Sequence, residues 1–264
     1  MQFLYHQNAG ESPLKLSDED FNYLFKVRRF QIGDKLNMRN LQDKCLYVYT
    51  IAQVQKKYAI VELDFGKKST DPLLPISTLS NKSYQDSPLF FHLLWAVIEP
   101  KIIEKTLPML NELGVGRISF FYAQFSQRQF KLSLERMRKI LIQSCQQCGR
   151  DSLMELEVYK SFDEIYKLYA PFYAFDFGGE DICTFKPKSL ESFENLGEIF
   201  YKKAKNEIRI MVGAEGGFSS QERTQCDKIL SLNHSGILRS ESACVFLASI
   251  VKLWQQSSKQ KEQK

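Results

Sequence analysis

Two hydrophobic rhythms follow one another along the chain. From Lys35 onward, apolar and polar positions alternate with the period of two that marks half-buried strands. The segments are Lys35–Arg39, Cys45–Val54 (CLYVYTIAQV) and Tyr58–Phe65 (YAIVELDF), rich in β-branched and aromatic residues. Gly33-Asp34 sets a turn before them. Residues 17–29 read as a helix, with Ser17 as N-cap and Asp18, Glu19 and Asp20 in the first turn, where acids suit the helix dipole. Short strands of this kind across residues 1–70 predict a small β-barrel. Residues 69–88 (STDPLLPISTLSNKSYQDSP) are rich in Ser, Thr and Pro, with Pro72, Pro75 and Pro88, and 71–87 read as an extended linker.

Beyond the linker the rhythm changes to an alternation of strand and helix. Leu89–Ile98 (LFFHLLWAVI) is continuously apolar around one His, as in a strand covered on both faces. Ile102–Leu113 is amphipathic and stops at Gly114, a helix-ending residue. Arg117–Tyr122 reads as a strand, Leu134–Cys148 as a long helix ending at Gly149, and Phe162–Leu168 as a short helix. Pro171–Phe177 and Glu207–Val212 are strands, each followed by glycine. Ser219 opens a helix with Glu222 in capping-box position. Gly236–Arg239 reads as a short strand and Ala243–Trp254 as an apolar helix. The polar residues 257–264 are expected to be a disordered tail. This alternation predicts an α/β domain over residues 88–256, built on a mostly parallel sheet.

Composition narrows the function classes. At 44% hydrophobic and 25% charged residues the chain is an ordinary globular protein. Its longest apolar run is about half of a membrane span, and the N-terminus lacks the basic-then-apolar pattern of a signal peptide. The expected compartment is therefore the cytoplasm. Lys and Arg total 36 against 31 Asp and Glu, a net +5 that permits a nucleic-acid partner without requiring one. The six cysteines are scattered and the three histidines are not grouped with them. Cys145-x-x-Cys148 has no second pair at zinc-ribbon spacing, so no metal site is expected.

Two stretches carry candidate chemistry. Met211–Glu222 (MVGAEGGFSSQE) sets Gly213, Gly216, Gly217 and Glu215 between a buried strand and a capped helix. In α/β sheets ligands bind beyond the carboxyl ends of strands, and glycines there let the backbone approach a ligand closely. Phosphate-loop and dinucleotide fingerprints are missing. The second stretch, Ser235–Trp254, places Arg239, Ser240, Glu241 and Ser242 between an apolar strand and an apolar helix. A helix N-cap with an Arg–Glu pair explains it as well as a ligand site does. Lys26, Arg28 and Arg29, interleaved with Phe25, Val27 and Phe30, suit RNA backbone contact, as they suit a plain solvated face.

These motifs, taken in order, resemble a known family. GAEGGFSSQE is similar to the G-P-E-G-G-[FL]-S-x-x-E signature of bacterial 16S ribosomal RNA uridine-N3 methyltransferases, and ILRSESA (237–243) to their [VI]-L-R-x-E-T-A. ELGV (112–115), QQCGR (146–150) and FKVRRFQIGD (25–34) match further family motifs. The resemblance implies a PUA-like RNA-binding β-barrel followed by a SPOUT α/β domain with a deep trefoil knot. It implies a homodimer that uses S-adenosyl-L-methionine on 16S rRNA in the small ribosomal subunit, at N3 of a uridine near the decoding centre. Carried over by residue, the cofactor site would take Phe177, Gly178, Val212, Gly213, Glu215, Gly216, Gly217, Ile237, Leu238, Ser242 and Ala243. Arg239 and Glu241 would be catalytic, Arg239 facing the uracil oxygen or a phosphate and Glu241 orienting it or taking the proton. Lys26, Arg28, Arg29, Arg128 and Arg150 would contact RNA. The chain departs from the pattern at Ala214 (for Pro), Ser242 (for Thr), Gly236 (for Arg) and Pro108-Met109 (for Gln-Lys). It also lacks the family's Ser-Glu-Arg after RISFFY, where Arg128 would substitute. A SPOUT enzyme for another rRNA or tRNA nucleotide, and a non-catalytic RNA-binding or ribosome-assembly protein, remain as alternatives.

Overall fold

The computed structural model describes residues 1–68, 89–185, 187, 207–233 and 236–261. The expected linker, residues 71–87, lies outside them. The chain folds as two compact units.

The first unit is a mixed five-stranded sheet ordered β1-β3-β4-β5-β2. Its strands are β1 (Leu4–Tyr5), β2 (Leu14–Ser17), β3 (Lys35–Arg39), β4 (Cys45–Val54) and β5 (Tyr58–Lys68). The β3-β4-β5-β2 pairings are antiparallel and β1–β3 is parallel. Inward-facing Leu16, Leu36, Met38, Tyr49, Ile51 and Val61 form the core, so the period of two translates directly into a buried face. The expected helix over 17–29 is split: α1 covers only Asp18–Phe21 and passes into a π-helical turn, Asn22–Val27.

This unit also takes in Ile142–Leu153, which the sequence reading assigned to the second domain. The reason is a second, smaller core: Cys145 packs with Phe3, Leu41 and Leu46. Gln146 reinforces it, since its backbone oxygen accepts from Gln2 N at 2.7 Å and its side chain from Tyr5 N at 2.8 Å.

The second unit is a six-stranded sheet with every pairing parallel, ordered β11-β9-β10-β6-β7-β8. Its strands are β6 (Phe90–Ala96), β7 (Arg117–Phe121), β8 (Glu155–Tyr159), β9 (Tyr173–Asp181), β10 (Glu207–Val212) and β11 (Lys228–Ser231). Its helices are α2 (Pro100–Leu113), the first half of α3 (Leu134–Cys148), α4 (Phe162–Tyr169), α5 (Ser220–Thr224) and α6 (Ser240–Lys261). Gly114 ends α2 with φ +88°, the left-handed stop that its sequence position implied. Strand β8 escaped the sequence reading because its ELEVY pattern lies on a sheet edge and is only partly buried. Gly236–Arg239, expected as a strand, is irregular backbone, and Lys228–Ser231 forms the edge strand instead. Helix α6 continues to Lys261, through part of the expected tail.

Strand alternation puts Trp95 and His92 of β6 on opposite faces. On one face α6 packs against β6 and β10 and against α2. Fully buried Trp95 donates from Nε1 to Ser240 Oγ at 2.8 Å, and Ser240 Oγ donates to the Gly213 carbonyl at 2.6 Å. One hydroxyl thus joins the central strand, the end of β10 and the start of α6. On the other face, toward the amino ends of the strands, lies a polar ladder. His92 Nδ1 is 2.7 Å from Glu207 Oε1 and its Nε2 is 2.8 Å from Ser119 Oγ. Glu157 Oε2 stands 2.9 Å from that hydroxyl and accepts from Tyr169 at 2.6 Å. Arg209 pairs with Glu207 and donates to the Tyr169 carbonyl. Burial holds His92 below its ordinary value against the pull of Glu207. For Glu207 burial acts to raise the carboxyl, but hydrogen bonds from His92 and Arg209 overcome it and bring the group to about 2.

Two outcomes follow from these contacts. Because Glu207 is depressed from 4.5 to about 2 on folding, its stabilisation is full above pH 4.5 and is lost as pH falls toward 2. Urea titrations at stepped pH should show this acid-side slope, and Glu207→Gln should flatten it. Ser240→Ala strands a buried indole N–H and a buried carbonyl and should cost roughly 1–3 kcal/mol in chemical denaturation. Ser249→Ala, whose hydroxyl donates to Val245 O of its own helix, should stay within about 0.5 kcal/mol of the parent.

Candidate functional site

At the carboxyl ends of β9 and β10, a cavity of about 930 Å³ opens between three irregular segments. That lies within the ordinary range for small-molecule sites, roughly 300–1,000 Å³. The first segment is Phe175–Gly179. Within β9, Ala174 pairs with Ile229 and Glu180 with the next residue of β11, Leu230, so the five residues between bulge away from β11, while Phe175 still pairs with Val212 of β10. The bulge is held at its turn by Gly178, with φ +69°. Gly179 lies so near β11 that a Cβ would sit 2.3 Å from the Ile229 carbonyl oxygen. Ser231 Oγ donates to the Gly179 carbonyl at 2.9 Å. On the other side, Arg223 of α5 pairs with Asp176 and donates to the Phe177 carbonyl at 2.9 Å. The bulge is thereby fastened from both flanks.

The second segment is Gly213–Gly217, leaving β10. Gly217 N donates to Ala214 O at 2.9 Å, with φ +72° at Gly217. A Cβ on Gly213 would lie 3.2 Å from the backbone carbon of Gly217. The loop folds back on itself in a way side chains at these positions would obstruct. Its exit is fixed by the capping box read from sequence. Glu222 Oε2 accepts from Ser219 N at 2.8 Å, and Ser219 Oγ accepts from Glu222 N at 3.2 Å. The other carboxylate oxygen accepts from Gln124 N at 2.9 Å, a bond between elements that no local pattern announces.

The third segment, Gly236–Arg239, leads into α6. Ile237 is 79% exposed and Arg239 is exposed at the rim. Glu241, half-buried in the first turn of α6, lines the same cavity, and among the described residues no ion pair joins it to Arg239.

Of the positions named from sequence, Phe177, Gly178, Val212, Gly213, Glu215, Gly216, Gly217, Ile237, Leu238, Arg239, Glu241 and Ala243 all line this one cavity. Ser242 does not. It is exposed, turned one helical step away from Glu241. Lys26, Arg28 and Arg29 are exposed on the first unit. Arg128 is exposed, donating to the Lys160 carbonyl at 2.9 Å with its guanidinium 5.6 Å from the Tyr122 ring centre. Arg150 is a correction. It is 2% exposed, so its guanidinium is not open to RNA and belongs to the interior of the first unit. Sequence reasoning missed Asp176, Arg223 and Ser240 as the residues that fix the loops. Ser240 was named there only as part of a polar patch and Asp176 and Arg223 lay beside residues singled out, but their pairings cross elements that are distant in sequence. Among the described residues no cluster of His, Cys, Asp and Glu is arranged to hold a metal ion, and no helix is long and apolar enough to cross a membrane.

Comparison with known proteins agrees with this geometry. A family model for an RNA methyltransferase domain matches residues 85–252, and a model for an RNA methyltransferase PUA domain matches residues 16–64. The chain is 40% identical over 258 residues to ribosomal RNA small subunit methyltransferase E of Helicobacter pylori strain J99, covering 96% of this chain and 100% of that protein. The protein of the same name from Buchnera aphidicola of Schizaphis graminum is 25% identical, over 88% of this chain and 87% of its own. Among solved structures, the Neisseria gonorrhoeae ribosomal RNA small subunit methyltransferase E bound to S-adenosyl methionine shares the fold. Its TM-score is 0.69 at 19% identity, with 96% of this chain and 98% of that chain covered. The chain belongs to the ribosomal RNA small subunit methyltransferase E family, with an N-terminal PUA domain and a C-terminal RNA methyltransferase domain on a parallel sheet.

Proposed function

We propose that this chain methylates N3 of one uridine of 16S rRNA near the decoding centre of the small ribosomal subunit. Membership of the family makes it an S-adenosylmethionine-dependent rRNA methyltransferase. The observation that carries the finer reading is the convergence of three backbone segments on one cavity with Arg239 and Glu241 along it.

The residues fit the cofactor. A Cβ on Gly179 would collide with the Ile229 carbonyl and one on Gly213 would crowd the Gly217 backbone, so these loops pack main chain on main chain and leave bare backbone along the cavity for the cofactor. Phe177, Val212, Ile237, Leu238 and Ala243 supply apolar walls. Glu215, in the glycine loop, offers a carboxylate to the cofactor's cationic end. When bound, S-adenosylmethionine supplies an electrophilic methyl on sulfur.

The chain's own task is to prepare the nucleophile. Uracil N3 carries an imide proton, and its lone pair is free only after that proton leaves. Glu241, without an ion partner among the described residues, is the proposed acceptor. Arg239 meets the negative charge that then develops on the uracil oxygens, since a guanidinium presents a rigid pair of donors to such a group. The bound cofactor would supply the methyl to N3 with its sulfur as the leaving group, and Glu241 would hold the N3 proton until solvent takes it.

Other parts of the reading follow the family. Strand β10 inserts between β9 and β6, in keeping with a trefoil knot in which the segment from β10 to α6 is threaded. The chain acts as a homodimer in the cytoplasm. Lys26, Arg28 and Arg29 on the first unit hold the rRNA backbone.

The test uses methyl-labelled S-adenosylmethionine and small subunits from cells lacking the endogenous enzyme. The label should be recovered as 3-methyluridine. A different labelled nucleoside, or none, contradicts the assignment. Arg239→Ala should lower kcat roughly 10²-fold, the usual cost of removing one charge-stabilising donor, with cofactor Kd within about threefold. Unchanged kcat in a folded variant removes Arg239 from the mechanism.

A further inference from the structure

Large apolar side chains are exposed at few places near the cavity, and one of them is not explained by the cofactor. Phe125 is 49% exposed in the loop that follows β7. Its side chain lies against the glycine loop: a Cβ on Gly216 would be 2.8 Å from Phe125 Cβ and 3.3 Å from its Cγ. Gly216 itself lines the cavity and Phe125 does not, so Phe125 stands behind the glycine loop, one residue out from the cavity wall.

The loop holds Phe125 in place on both sides. Gln124 N donates to buried Glu222 at 2.9 Å. Ser126 N donates to the Ala123 carbonyl and Ala123 N to Ser126 Oγ, each at 3.2 Å. Tyr122 OH closes the loop by donating to the Phe130 carbonyl at 2.6 Å. An aromatic ring left in water on a loop this well fixed is pre-organised for a contact.

The surroundings say which kind. From Phe121 to Ser133 the sequence FYAQFSQRQFKLS contains no acid, and it carries Arg128 and Lys131, both exposed. An apolar ring flanked by cations and amides suits a nucleobase on its sugar-phosphate chain. Bases taken out of a helix for modification are held by aromatic faces. We propose that Phe125 is a substrate-binding residue, a stacking platform for a base of the rRNA beside the methyl-transfer cavity. This rests on the rRNA reading of the same site. It adds a contact at a position where the family's Ser-Glu-Arg is absent.

The experiment compares full-length Phe125→Ala, Phe125→Leu and Phe125→Trp with the parent. Stacking on one aromatic side chain corresponds to about a tenfold effect. Phe125→Ala and Phe125→Leu should each raise KM for small subunits about tenfold, with kcat changed less. Phe125→Trp should restore KM to within about twofold. The Kd for S-adenosylmethionine by calorimetry and the sedimentation coefficient should be unchanged in all three. A second readout avoids turnover: the added fluorescence of Phe125→Trp should be quenched by a short oligouridine, beyond any quenching of the parent's own tryptophans. The proposal is overturned if Leu serves as well as Phe, if the effect falls on cofactor Kd, if the sedimentation coefficient shifts because a second copy covers the ring, or if oligouridine leaves the fluorescence unchanged. Absence of 3-methyluridine from the parent reaction counts against the proposed function, and the quenching result still decides the role of Phe125.

Discussion

The Ser240 hydroxyl ties together three elements: the central strand, the end of β10 and the start of α6. It accepts from the indole of Trp95 in the central strand and donates to the carbonyl of Gly213, where β10 gives way to the glycine loop. Both partners are buried, so no water replaces either bond if the hydroxyl is lost. Helix α6 must begin at this point, and the segment before it must cross the mouth of the cavity. The glycine loop in turn must leave β10 with its carbonyl aimed at α6. The remaining ties, Arg223 to the Phe175–Gly179 bulge and Glu222 to Gln124, extend the same logic outward. Each fixes a loop or bulge by a side chain on a helix, so the sheet presents this backbone in one defined arrangement.

A division of labour between the two ends of the parallel sheet follows. The amino ends of the strands carry the His92–Glu207–Arg209 and Ser119–Glu157–Tyr169 contacts, which are internally matched and face helix α4. The carboxyl ends carry exposed backbone, glycines and the charged rim of Arg239 and Glu241. In a parallel sheet all carboxyl ends lie on one edge, so ligand-binding loops gather there. The buried ladder stabilises the sheet from the opposite end and contributes no group to the cavity.

Much of this was readable in the sequence because local rules governed it. The helix 134–148 and the strand 207–212 were placed at their observed limits, and Gly114 and Ser219 acted as the stop and cap that their residue types favour. The glycine loop stood out because close backbone approach demands that residue. What escaped was decided by contacts across long sequence separations. Cys145 and Gln146 sit on a helix whose periodicity says nothing of the barrel they join. Strand β8 is recognisable only from its pairing with β7. Arg150 looks like a solvated helix end in sequence and is interior in the fold. Ser240 looked like one hydroxyl in a polar patch, and only the fold sets Trp95 above it.

On the proposed function the three segments around Gly213, Phe177 and Ile237 form a single cofactor site, held together by the Ser240 contact. Amide hydrogen exchange with and without S-adenosylmethionine tests this most directly, since it reads each segment separately. Bound cofactor should slow exchange in residues 175–179, 212–217 and 236–243 together and leave β1 to β5 unchanged. Protection of only one segment, or protection centred on the N-terminal unit, would contradict it.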